Sequence, residues 1–494
     1  MQRKGFRAHF IVNVGGAIAT LVVMLVTVPL FVGEIGPARY GVMSIIWILL
    51  GTMGFLDLGL SRAATNALAR IDPSDKRERE SIFVTALGLN GVMGLLGGIV
   101  LVTGGIALFS HVMTVPPQLL PEVRWALPWV AGLLPLALMN GAGIGSLESR
   151  DHFLTANLLQ LTGTVAIQTV PLLCAVFIAP RLEVVIPAAV CARGASVVLV
   201  IAFAWRSERS GSLPRLNGGR AKEMLRYGGW VSIGNTLNPL LTSLDQMVLG
   251  AVMGVASVTY YAVPFSLVMK SQIFAAAASR TLFPRMSRVS EPEAQRLARA
   301  AVGGLSYGYG AICVAAILMM HPFISFWMGP DFARVAAPLA QILLVGAWFN
   351  GLSFIPFELV QAQGRPHLPA LLYLLELGPF FALLWFLTHR FGLTGAALAW
   401  ALRMALDSLL FFLVSRHAGG ALLRLVPMAL ILAAVVLVTR SIPLGLAASV
   451  IAASVGGALT LALGFMLDDT IRMMVLEAWK TARRLARRSG LQVG

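Results

Sequence analysis

Long apolar runs separated by short polar segments recur from one end of the chain to the other. They fall at 10–33, 41–62, 81–110, 125–147, 154–178, 184–205, 229–251, 259–279, 300–322, 335–358, 368–388, 395–415, 424–440 and 444–467. Most are close to the ~20 residues a helix needs to cross a bilayer. They are continuously apolar rather than alternating, and lipid admits only helices and closed barrels. The pattern therefore predicts an all-α polytopic membrane protein of about 14 transmembrane helices. The first run follows MQRKGFRAHF and lacks a signal-peptidase site, so it reads as a retained span.

The polar segments carry an orientation. With the N-terminus inside, 28 of the 38 Lys and Arg fall in cytoplasmic segments and 6 in outer loops. That bias places both termini in the cytoplasm. It also accounts for the net charge of +16 without a nucleic-acid partner. The longest polar interruption, 206–228, divides the chain near its middle. The expected organisation is a six-helix bundle at 1–205, a cytoplasmic linker at 206–228, a second bundle at 229–415 and two additional helices at 416–467. In the tail at 468–494, Ile471, Val475, Trp479 and Leu485 share one face among six cations. It reads as a basic amphipathic helix on the inner leaflet, where anionic lipid attracts it.

The candidate chemistry lies inside the spans. Arg193 precedes Arg206 by thirteen residues, and Arg403 precedes Arg416 by the same interval. At ~1.5 Å per residue each lies about 20 Å from the membrane surface, near mid-depth. A charge there costs ~2.5 kcal/mol or more unless it meets water or a partner. Arg193, Arg403 and, near the inner end of its span, Lys270 are the candidate ligands for an anionic head group, since arginine holds phosphate oxygens bidentately. For Arg403 a local alternative exists, because Asp407 lies one turn on. Asp57, Asp245, Glu376 and Asp407 are candidates for ion coupling, with Glu358 nearer a span end; the alternative for each is pairing with an intramembrane cation. Amides such as Asn140, Asn157, Gln160, Gln168, Asn235, Asn238, Gln272 and Asn350 can bond sugar hydroxyls or neighbouring helices. Cys174, Cys191 and Cys313 lie in spans without CxxC spacing and read as packing residues. Prolines such as Pro29, Pro135, Pro171, Pro239, Pro264, Pro356 and Pro379 in or near spans are candidate kinks.

Three landmarks repeat in order: Tyr40 and Tyr260 after a Gly-rich outer turn, Arg150 and Arg365 in a short inner turn, and Arg193 and Arg403 in the sixth span of each half. Such repeats characterise transporters with a site at mid-membrane. The motifs GPARYG (36–41), FLDLGL (55–60), Asp245 with Gly250, TLFPRMS (281–287), QAQGRPH (361–367) and FGLTGAALAW (391–400) resemble those of the Wzx-like oligosaccharide-lipid flippases. These belong to the multidrug, oligosaccharidyl-lipid and polysaccharide exporter superfamily. The resemblance covers spans 1 to 12, with one departure: Gln246 stands where many relatives carry a cation. It implies two pseudo-symmetric six-helix bundles in a V shape plus two extra C-terminal helices. It also implies alternating access, and a cargo of undecaprenyl-pyrophosphate-linked oligosaccharide carried to the periplasmic leaflet of a bacterial inner membrane. Expected partners are that cargo, membrane lipids and the polysaccharide polymerase machinery.

Other readings are weaker. The longest outer loop, 111–124, carries no DxD pair, and no HExxH occurs; neither an enzyme, a cofactor nor a metal site is expected. No GxxxxGK[ST] loop points to ATP. A cation-coupled multidrug exporter would favour an acidic or apolar cavity, against two mid-depth arginines. A lipid II flippase would use the same cationic chemistry and stays as an alternative.

Overall fold

A computed structural model describes residues 2–211, 219, 241–365, 367–415, 418–442, 444–467 and 472–473. The tail at 468–494, apart from Arg472 and Met473, lies outside the described residues, as do most of the linker and Asn235, Asn238 and Pro239.

The helices are α1 (Gln2–Thr52), α2 (Leu60–Arg70), α3 (Lys76–Ala107), α4 (Leu120–Glu148), α5 (Phe153–Phe177) and α6 (Leu182–Glu208). Then come α7 (Leu241–Val252), α8 (Val255–Ser271), α9 (Ile273–Met286), α10 (Glu291–Met328), α11 (Pro330–Ala362), α12 (His367–Val414), α13 (Ala418–Ser441) and α14 (Leu446–Leu467). α1 is broken at Gly36 (φ 80°) and α12 at Gly392 (φ 59°). Dividing them there gives every expected span a helix among the described residues. Among those residues ten helical stretches are long and apolar enough to cross a membrane, and Leu241–Val252 and Leu425–Ser441 are shorter apolar ones. Many large apolar side chains face outward, among them Phe177, Leu199, Phe386 and Leu459. This surface suits a lipid solvent, and the protein is a multi-pass membrane protein.

The second predicted span, 41–62, is not one continuous helix. α1 ends at Thr52, a 3₁₀ turn covers Met53–Asp57, and the chain turns through left-handed Leu58 (φ 46°) and Gly59 (φ 68°) before α2 begins. The Asp57 carboxylate accepts the Ser61 N–H at 3.2 Å and the Ser61 hydroxyl at 2.5 Å, satisfying an orphan donor of the new helix.

The chain forms two compact units, Met1–Ala262 and Val263–Gly494. Their boundary lies within α8, beyond the 206–228 segment. α7 and the start of α8 are bonded into the first unit: Thr114 N–H donates to the Gly250 carbonyl at 3.0 Å, and Val255 N–H donates to the Thr114 carbonyl at 3.1 Å. In that unit Leu60, Phe83, Leu87, Ile144, Leu147 and Val200 form one core, and Phe31, Ile35, Met43, Leu172 and Val185 another. In the second unit Trp348 and Trp400 are buried, and the Trp348 indole N–H donates to the Ser306 carbonyl at 2.9 Å.

Candidate functional site

Each unit holds its own polar groups at depth. In the first unit, Arg193 sits part-way along α6 beside α5. Gly163 of α5 makes room for Ser196 of α6: a Cβ there would meet the Ser196 Oγ at 2.1 Å, and the Arg193 Nη1 would stand in ordinary contact at 3.6 Å. Arg193 is half-buried, and among the described residues it has no ion pair or hydrogen bond. Close by along α5, Gln168 accepts a hydrogen bond from the Thr27 hydroxyl of α1 at 3.3 Å. A half-buried guanidinium without a carboxylate keeps its donors available to an anion.

The acidic candidates of this unit have protein partners. Asp57 caps α2. Asp245 is fully buried and accepts the Tyr261 hydroxyl at 2.5 Å, and its Oδ1 also accepts the Gln246 N–H at 2.8 Å. Gln246 is itself buried. The strongest electrostatic feature escaped the sequence reading. Glu208, wholly buried at the end of α6, receives two hydrogen bonds each from Arg79 of α3 and Arg150, and one from Ser146. Arg79 also donates to the Leu68 carbonyl, closing the end of α2. A second clamp joins Arg39 to Glu122 at 2.7 Å, and Glu122 also accepts the Leu182 N–H. No spacing rule links residues more than fifty positions apart, so sequence alone could not pair them.

In the second unit, Arg403 donates from Nε to the Glu376 Oε2 at 3.2 Å, and both are about 3% exposed. Its guanidinium also lies 5.0 Å from the Phe380 ring centroid. Asp407, equally buried, joins this group. Arg403 thus pairs with Glu376, contributed by the helix segment before Gly392, and its charge also acts on Asp407 one turn on. Lys270 is exposed in the last turn of α8. Glu358 of α11 faces Ser279 and Arg280, and Gln272 is spent on the Ala347 carbonyl at 3.4 Å.

A family model described as "Polysaccharide biosynthesis protein" matches residues 6–290, more than half the chain. The chain belongs to this polysaccharide biosynthesis protein family. Across 379 residues it is 27% identical to a "Putative O-antigen transporter" of Shigella flexneri, covering 76% of this chain and 89% of that one. Two solved structures share the fold. One is described as lipid II flippase MurJ in an inward closed conformation, with TM-score 0.74 and 12% identity over 93% of this chain and 99% of that one. The other is an inward-facing multidrug resistance MATE family transporter of the MOP superfamily, with TM-score 0.68 and 16% identity over 83% and 98%. The family member therefore has the helical fold of these transporters, in agreement with the resemblance read from its motifs.

Proposed function

We propose that this protein is an inner-membrane flippase with both termini in the cytoplasm. It moves an undecaprenyl-pyrophosphate-linked oligosaccharide repeat unit from the cytoplasmic to the periplasmic leaflet by alternating access, for O-antigen, capsule or exopolysaccharide synthesis. The observation that carries the reading is Arg193: a guanidinium at mid-membrane depth with no carboxylate partner among the described residues, in a chain of a polysaccharide biosynthesis family. A pyrophosphate supplies the counter-charge that such a group otherwise lacks. Lys270, near the inner end of α8, is a second cation for the head group as it enters. The relative named a putative O-antigen transporter supports the saccharide class.

Deleting the gene tests this reading. Lipid-linked repeat units should accumulate on the inner leaflet while surface polysaccharide is lost. Growth arrest with lipid II build-up would instead support the second reading, a lipid II flippase, which the fold likeness to MurJ favours.

A further inference from the structure

Two carboxyl groups and one guanidinium are enclosed together in the second unit. α12 doubles back at Gly392, so Glu376 before the break meets Arg403 and Asp407 after it. All three are about 3% exposed. The Glu376 and Asp407 carboxyls stand within hydrogen-bonding reach of each other. Yet Glu376 Oε1 and Asp407 Oδ1 are both buried without a hydrogen-bond donor among the described residues.

Charge and donor counts point the same way. With both acids ionised, the cluster carries one excess negative charge in a dry interior, where an unpaired charge is strongly disfavoured. One added proton removes that charge and supplies the missing donor, because a protonated carboxyl donates to its neighbour's carboxylate. The groups facing this pair are Arg403, the Tyr373 hydroxyl one turn before Glu376 and, from α11, Ser353, whose hydroxyl donates to the Phe349 carbonyl at 3.2 Å. Among the described residues the cation acting on both acids is Arg403. A proton meets both needs at once, the excess charge and the missing donor between Glu376 Oε1 and Asp407 Oδ1.

We propose that Glu376 and Asp407 hold one proton between them at neutral pH, and that loading and releasing this proton drives the transport cycle. In the loaded form one acid is COOH and donates to the other. On release the proton passes to water, and the two carboxylates share Arg403. The guanidinium is then a positioning residue for the acid pair rather than a ligand of the cargo. The coupling step rests on the flippase reading; the proton site itself does not.

Infrared spectra of the purified full-length protein test the site without any cargo. The expected result is a protonated-carboxyl band at neutral pH that disappears in both Glu376→Gln and Asp407→Asn. No such band in the wild type, or a band that survives both changes, overturns the proposal. A second readout guards against misfolded variants. A folded state that holds a proton the unfolded chain has lost becomes less stable as pH rises. The wild-type melting temperature should therefore fall above neutrality, and that of Glu376→Gln should stay level; equal slopes count against the shared proton. In cells, Glu376→Gln should cut surface polysaccharide by about tenfold or more at unchanged membrane abundance, and unchanged export overturns the coupling. A failed gene-deletion phenotype would sink the flippase reading while leaving the spectra intact, so the two failures are distinguishable.

Discussion

Arg193 and Arg79 show two ways for a buried guanidinium to survive. Arg79 is fully satisfied by Glu208, Ser149 and the Leu68 carbonyl. Removing the acid leaves two arginines facing one another in an enclosed site, and breaking such a pair costs about 3–5 kcal/mol. Glu208→Ala should therefore lower the melting temperature of the detergent-solubilised protein sharply. The double change Glu208→Leu with Arg79→Met should recover part of the loss, because only the less buried Arg150 is then left without its acid. Arg193 has the opposite signature. With no protein partner to lose, Arg193→Ala should leave insertion and melting temperature close to wild type. Polysaccharide export should fall by about tenfold to a hundredfold, the worth of a charge-assisted hydrogen bond. Arg193→Lys keeps the charge without the bidentate fork and should fall between. The distance of Arg193 and Arg403 from the span ends can be read from the sequence, because helical rise converts thirteen residues into length. Their partners cannot: the Glu376–Arg403 pair depends on the chain doubling back, which spacing along one helix does not encode.

At the scale of whole elements, the number and order of helices could be read from hydropathy alone, since lipid selects long apolar runs. The breaks could not. The helices α1, α4, α5, α8, α11 and α12 continue past Pro29, Pro135, Pro171, Pro264, Pro356 and Pro379, the candidate kinks. The non-helical residues inside α1 and α12 are glycines, Gly36 and Gly392. A proline keeps a helical φ and removes one donor, whereas a glycine admits the positive φ that reverses the chain. Gly395 completes the turn in α12: a Cβ there would stand 1.9 Å from the Leu387 carbonyl oxygen. Backbone cannot move aside as a side-chain tip can, so Gly395→Ala must open the hairpin. We expect a loss of about 1–3 kcal/mol in thermal unfolding. The acid pair should be separated too, so the protonated-carboxyl band should weaken in the same variant. Gly308 has open space beside it, and Gly308→Ala serves as the silent control.

For the whole molecule, the decisive quantity is the charge moved per cycle. In the proposed cycle a pyrophosphate head carries at least two negative charges outward. Each gains ~2.3 kcal/mol per 100 mV from an interior-negative potential. On the same proposal, a proton moving inward on Glu376 and Asp407 gains in the same sense, and also draws on the pH gradient. The two drives separate in proteoliposomes, where potassium with valinomycin sets the potential and buffers set the pH difference. With a fluorescent undecaprenyl-pyrophosphate disaccharide as probe, flipping by the wild type should accelerate with either gradient. Glu376→Gln mimics the loaded acid permanently, so its residual flipping should lose its response to the pH difference. It should still respond to potential, because the charged head group crosses the same field. Arg193→Ala should slow flipping under both gradients alike, since it weakens a contact with the head group and leaves the proton site untouched. A Glu376→Gln rate that still rises with the pH difference would show that protons enter elsewhere. An Arg193→Ala variant that lost only the pH response would place that guanidinium on the proton path instead of with the phosphate.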